Sequence, residues 1–287
     1  MENLQTKLEN TRYFIKQKTN ISPKIGIILG SGLSNTAKKI DVDAEFSYSS
    51  LPNFLPSKVE GHIGQLLLGR YKQNEIAVLN GRNHYYEGYS FDEICYPVRL
   101  LKMLGVEYLL ITSAVGSMKK NIKKGDLVII KDHINFMGEN VLRSSFEEES
   151  IIKFLDLTDC YDNDLNAKAK SLAKIKNISV KEGTYFAVSG PTYETPAEVK
   201  AFSKLGGDVI GMSVVPEAVI AKKLNIKVCA ISYVSNYAAG LQNTAITHSE
   251  VLKNAQNAAG KISDIIFGLV DCIYPVRNSR TLIKSDE

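Results

Sequence analysis

The chain has 287 residues, 44% hydrophobic and 23% charged, with a net charge of +4. That composition is ordinary for a globular protein with a large core, and excludes both a disordered chain and a strongly basic nucleic-acid or membrane-surface binder. Four cysteines lie far apart with no CxxC spacing, so a disulfide framework or a zinc site is not expected and the thiols read as reduced and mostly buried.

In chain order, the opening "MENLQTKLENTRYFIKQK" is charged throughout and has Leu4, Leu8 and Ile15 at helical spacing. It reads as a surface helix within residues 1–20 and not as a signal peptide. No apolar run reaches the length of a membrane span, so a cytoplasmic location is expected. Next comes "KIGIILGSGLSNTAKKI" (24–40), an apolar run into a glycine-serine turn and then an expected helix. Further apolar runs are "QLLLGRY", "EIAVLN", "YLLITSA", "DLVIIKD", "TYFAVSG", "DVIGMS" and "KVCAISYVS". Their near-continuous Val/Ile/Leu content means strands buried on both faces. Helical patterns lie between them, around Phe91–Leu104, Leu165–Lys174, Pro196–Leu205, Pro216–Leu224 and His248–Val270. Ser90/Glu93, Thr195/Glu198 and Thr247/Glu250 have capping-box spacing. The expected fold is a single α/β domain over 1–287, a mixed twisted sheet with helices on both faces, with 276–287 a frayed tail.

The residues just past each strand carry the chemistry. The runs end in Gly30-Ser31-Gly32, in Gly81-Arg82-Asn83-His84, in Ala114-Val115-Gly116, in Gly190 before Tyr193-Glu194, in Ser213 and in Asn236. Ligands of open α/β sheets bind outside the carboxyl ends of strands, so these ends predict one shared pocket. The dinucleotide fingerprint GxGxxG fails because residue 35 is Asn, and there is no Walker Gly-Lys-Ser/Thr. The remaining features suit a compact anion: a hydroxyl, backbone N–H groups, and the bidentate donor Arg82.

The ordered motifs "GSGL", "GHIG", "GRNHYYEGYS", "GVEYLLITSAVGS", "GDLVIIKDHINFMG", "EGTYFAVSGPTYETPAE", "GMSVVPE" and "SNYAAG" resemble the trimeric purine nucleoside phosphorylases that prefer 6-oxopurines. The resemblance implies cleavage of inosine or guanosine, or the deoxy forms, by inorganic phosphate to free base and sugar 1-phosphate. Phosphate is a co-substrate; no cofactor, metal, nucleic acid or membrane is implied. It implies phosphate contacts from Ser31, His62, Arg82, His84, Ser213 and the Ala114 backbone N–H. Tyr86, Met212 and His248 would line the ribose. Tyr193 and Glu194 would meet the base with Asn236 beside it, and Tyr185 and Ile210 would complete the wall. Asn236, Glu194, His84 and His248 would carry catalysis. Phe154 would reach the sugar site of the next subunit in a homotrimer. The chain departs from the family pattern at Ser113, Tyr193 and Tyr237 and in the segment before Phe154. Methylthioadenosine phosphorylase on the same fold, a water-using nucleosidase and a nucleoside-binding protein are the alternatives.

Overall fold

A computed structural model describes residues 3–59, 62–143, 154–242 and 248–275, the side chains of 248–251 excepted. Its nine-stranded sheet runs β2-β3-β4-β1-β5-β8-β7-β6-β9. The strands are β1 (Ile25–Leu29), β2 (Asp41–Ser47), β3 (Gln65–Tyr71), β4 (Asn74–Asn80), β5 (Tyr108–Ser117), β6 (Leu127–Asn135), β7 (Val180–Ala187), β8 (Val209–Gly211) and β9 (Lys227–Tyr237). Parallel and antiparallel pairs are mixed: β1 runs parallel to β4 and β5, while β3 is antiparallel to β2 and β4. β5 also pairs in parallel with β9, so β5, β8, β7, β6 and β9 close on themselves. This closure is a feature the alternation of strands and helices along the chain does not announce.

Helices α1 (Leu4–Lys16), α2 (Phe91–Leu104) and α5 (Val215–Lys223) pack on one face, where Ile28, Leu66 and Val98 share a core. Helices α3 (Asn163–Ile175) and α6 (His248–Ile273) cover the other, against Ile25, Ile27 and Leu29. β1 is thus buried on both sides, as its unbroken apolar run requires. A smaller cluster of Phe186, Val199, Phe202 and Ile210 seats α4 (Pro196–Lys204). The Ser90/Glu93 and Thr195/Glu198 capping boxes form in full; Thr247 and the 276–287 tail lie outside the described residues. Cys95, Cys160 and Cys229 are buried free thiols, and Cys272 is exposed.

One expected element differs, and one further strand appears. The helix expected after the Gly30 turn is only a short 3-10 segment, Ser34–Lys39, with no side-chain cap. Polar Ser34, Asn35 and Thr36 lack the apolar periodicity that sustains an α-helix. In addition, "DVDAEFS" forms the edge strand β2, of which only Phe46 is buried. An edge strand of this kind shows no continuous apolar run.

Candidate active site

One pocket is lined by Ser31 after β1, Arg82, His84 and Tyr86 after β4, and Ala114 and Gly116 of β5, together with Tyr193 and Glu194 after β7, Ile210, Met212 and Ser213 around β8, and Asn236 of β9. All the strand ends singled out in the sequence converge here.

At one end of the pocket, Arg82 is buried and donates once from each terminal nitrogen. Its Nη1 donates to Ser213 Oγ at 2.9 Å and its Nη2 to the Thr112 carbonyl at 2.6 Å. Thr112 joins this end to the glycine turn: its Oγ1 accepts from the Gly30 N–H and donates to the Ile28 carbonyl, both at 3.0 Å. The turn itself is fixed by Gly32, whose φ of +73° suits glycine and whose α-hydrogen faces Ala255 of α6 with no room for a methyl group. Tyr233 donates to the Ser31 carbonyl at 3.1 Å.

His84 packs in parallel on the Tyr86 ring, 4.6 Å between centroids. Its Nδ1 lies 2.9 Å from Glu87 Oε1, which sets the orientation of the ring. His62 stands behind Ser31, with Nε2 2.9 Å from Ser31 Oγ and Nδ1 3.0 Å from the Arg82 carbonyl. Burial, and then the charge of neighbouring His84, lowers its pKa to about 3. His62 is therefore neutral, its Nδ1 set between the Arg82 carbonyl and the Arg82 N–H, which lies at 3.1 Å, and the tautomer decides the direction of its bond with the Ser31 hydroxyl.

Asn236 sits beside a register slip in the β5–β9 pair, where Val115 opposes Val234 but Gly116 opposes Asn236. The extra residue, Ser235, bulges and re-aims the strand. Its hydroxyl donates to Asn236 Oδ1 at 2.6 Å. That fixes the amide's orientation and turns Nδ2 toward the Tyr237 carbonyl at 2.9 Å, with a second N–H to spare. Asn254 of α6 holds the bulge by donating to the Ser235 carbonyl. Glu194 is half-buried, and burial raises its pKa. Ser113, a departure from the family pattern, bonds Ser232 across β9 at 2.7 Å.

Some residues fall elsewhere than expected. Tyr185 is fully buried and does not line the pocket; its hydroxyl accepts from the Ser213 N–H at 3.2 Å, behind the wall. Its ring lies against Gly211, which faces the pocket in its stead. Phe154 is 98% exposed, away from the pocket of its own chain. His248 opens α6, but its side chain lies outside those described. Sequence reasoning missed Glu87, Thr112 and Glu217. Glu87 had a signal, three residues after His84 at capping-box spacing; Thr112 and Glu217 had none, because burial decides their roles.

A cationic, hydroxyl-lined end joined to an amide and a carboxylate defines a site for an anion together with a polar, planar partner. The family model described as the phosphorylase superfamily matches residues 24–271. Purine nucleoside phosphorylase 1 of Geobacillus stearothermophilus is 44% identical over 252 residues, 88% of this chain and 92% of the relative. Isoform 2 of purine nucleoside phosphorylase from Schistosoma mansoni, solved with cytosine and ribose-1-phosphate, superposes with a TM-score of 0.85 at 38% identity, covering 92% of this chain and 95% of the other. A schistosoma purine nucleoside phosphorylase solved with hypoxanthine gives 0.83 at 34%, covering 92% and 96%. The chain belongs to the phosphorylase superfamily and, within it, to the purine nucleoside phosphorylases.

Proposed function

We propose that this enzyme cleaves 6-oxopurine nucleosides, ribo or deoxyribo, with inorganic phosphate, and needs no cofactor. The observation that carries this reading is the convergence of Ser31, Arg82, His84 and Ser213 with Glu194 and Asn236 on one cavity.

Phosphate, held by Arg82, His84 Nε2, the Ser31 and Ser213 hydroxyls and the Ala114 N–H, attacks the anomeric carbon as the bond to the purine breaks. The transition state has oxocarbenium character, which the phosphate charge stabilises. The bonding electrons pass into the purine, where Asn236 donates to N7 as charge develops. Glu194 accepts from the ring N–H of a 6-oxopurine, and Tyr193 offers a ring face. Hydrogen phosphate becomes a sugar monoester, and its proton ends on the freed base. Ile210, Met212 and Tyr86 enclose the sugar, with His248 on its primary hydroxyl. Arg82 and Ser213 favour this over a water-using nucleosidase, which has no need of an anion site. Asn236 in place of Asp argues against a 6-aminopurine enzyme.

The test is inosine consumption with and without phosphate. Hypoxanthine and ribose 1-phosphate should appear only with phosphate; equal turnover in its absence would overturn the reading. Exposed Phe154 supports a homotrimer in which this ring enters a neighbour's sugar site, forming a closed heterologous ring. An active monomer in sedimentation would exclude that assembly. Among the described residues no helix is long and apolar enough to cross a membrane.

A further inference from the structure

Behind the anion site stands a carboxylate that does not line the pocket. Glu217, near the start of α5, is 4% exposed, and its Oε1 lies 3.2 Å from Arg82 Nε. The backbone N–H of Val214 faces the same carboxylate. Val214 has φ +65° and ψ −56°, and the Val215 N–H reaches back to the Ser213 carbonyl at 2.7 Å. These are the marks of a γ-turn with positive φ, the rare and strained form, and rarer still at a β-branched residue. The turn presents Ser213, whose hydroxyl takes Arg82 Nη1 and whose N–H is taken by Tyr185.

A buried acid is seldom kept for stability alone, since taking two charges out of water offsets their attraction. Here one carboxylate faces both the outer edge of the guanidinium and the N–H at the apex of the strained turn. Of the five N–H donors of Arg82, Glu217 faces Nε, and Ser213 and Thr112 take one each from the terminal nitrogens. One donor on each terminal nitrogen is left. We propose that Glu217 is a positioning residue for the anion site, setting at once the plane of the Arg82 guanidinium and the turn that carries Ser213. The inference rests on the reading that this pocket takes inorganic phosphate. Burial pushes the Glu217 carboxyl up, while the Arg82 charge and the Val214 N–H oppose that.

The decisive variant is Glu217→Gln, of equal length and shape. It keeps an acceptor for the Val214 N–H but cannot also hold Arg82 by charge. At saturating inosine, its KM for phosphate should rise about tenfold to a hundredfold, the range for a lost charge-assisted hydrogen bond. Its KM for inosine at saturating phosphate, and its hypoxanthine affinity by calorimetry, should stay within about twofold, since no base contact changes. Glu217→Asp, which keeps the charge one methylene further back, should fall between wild type and Gln, and carries the test by itself if the Gln variant does not fold. A phosphate KM like wild type in whichever variant folds, or equal rises in both KM values, would overturn the positioning role. Phosphate-independent turnover by wild type would instead overturn the underlying reading, so the two failures are distinct.

Discussion

Glu87 holds His84 by two groups at once: Oε1 is 2.9 Å from the ring Nδ1 and 2.7 Å from the backbone N–H. Its other oxygen accepts from the Lys58 N–H at 2.7 Å, tying the segment before His62 to the same carboxylate. Burial alone would raise its pKa, but these bonds outweigh it, and the carboxyl lies below its ordinary value of 4.5. A depressed carboxylate stabilises the fold above its unfolded pKa and loses that contribution as pH falls through the folded value. Glu87→Ala should therefore cost about 0.5–2 kcal/mol of stability at neutral pH, as for a lost cap, and progressively less in acid. It should also lower kcat/KM for phosphate by about tenfold or more, because His84 loses the charged partner that orients it. Urea unfolding at two pH values and steady-state kinetics check both. An unchanged phosphate kcat/KM would show that His84 needs no such support.

Gly32 couples the anion turn to α6. A β-carbon there would overlap that of Ala255, at a backbone φ of +73° that side chains rarely adopt. Gly32→Ala should cost about 1–3 kcal/mol from overpacking and left-handed strain, read as a Tm lower by several degrees. Because Ser31 is the adjacent residue and its hydroxyl lines the pocket, the phosphate KM should rise with it. Gly32→Ala with Ala255→Gly should recover part of the loss, since the double change restores space but not φ. A single variant as stable as wild type would mean that α6 moves aside freely.

The strand cores and the residues after them are legible in the sequence because each buried run is continuous and is ended by Gly, Ser or a charge. Arg82, Ser213 and Asn236 stand directly at that punctuation and converge as expected. β2 is not legible, since an edge strand with Phe46 alone buried lacks an apolar signature. The 3-10 turn after Gly30 reads as a helix because its N-terminal glycines also suit one. Tyr185 reads as a pocket residue because nothing local reveals the ring of strands, closed by the long-range β5–β9 pair, that turns it inward. Glu217 looks like an ordinary helix-start acid; only tertiary packing shows it buried against Arg82.

In the proposed reaction, base selection depends on Asn236 and Glu194 together. The Asn236 amide is fixed by Ser235 on its oxygen side and Tyr237 on its nitrogen side, which leaves one N–H for N7. Inosine offers Glu194 an N–H, whereas adenosine points a lone pair at the carboxylate. A site left unpaired in this way discriminates by about 10⁴–10⁵, so inosine should be far preferred over adenosine. The sign of the pH effect comes from burial, which raises the Glu194 pKa above its ordinary 4.5. Protonation turns this acceptor into a donor, so kcat/KM for inosine should fall as pH drops through that raised value. His62, with its pKa lowered to about 3, does not titrate in that range. Glu194→Gln should remove this acid limb at a cost in inosine activity. Asn236→Asp should lose about 10²–10³ in kcat for inosine, as for one transition-state donor, and gain some adenosine turnover through acceptance from the 6-amino group. The measurement is kcat/KM for both nucleosides across pH for wild type and the two variants. A wild type that prefers adenosine, or an Asn236→Asp variant with an unchanged inosine-to-adenosine ratio, would mean that these two side chains do not read the base.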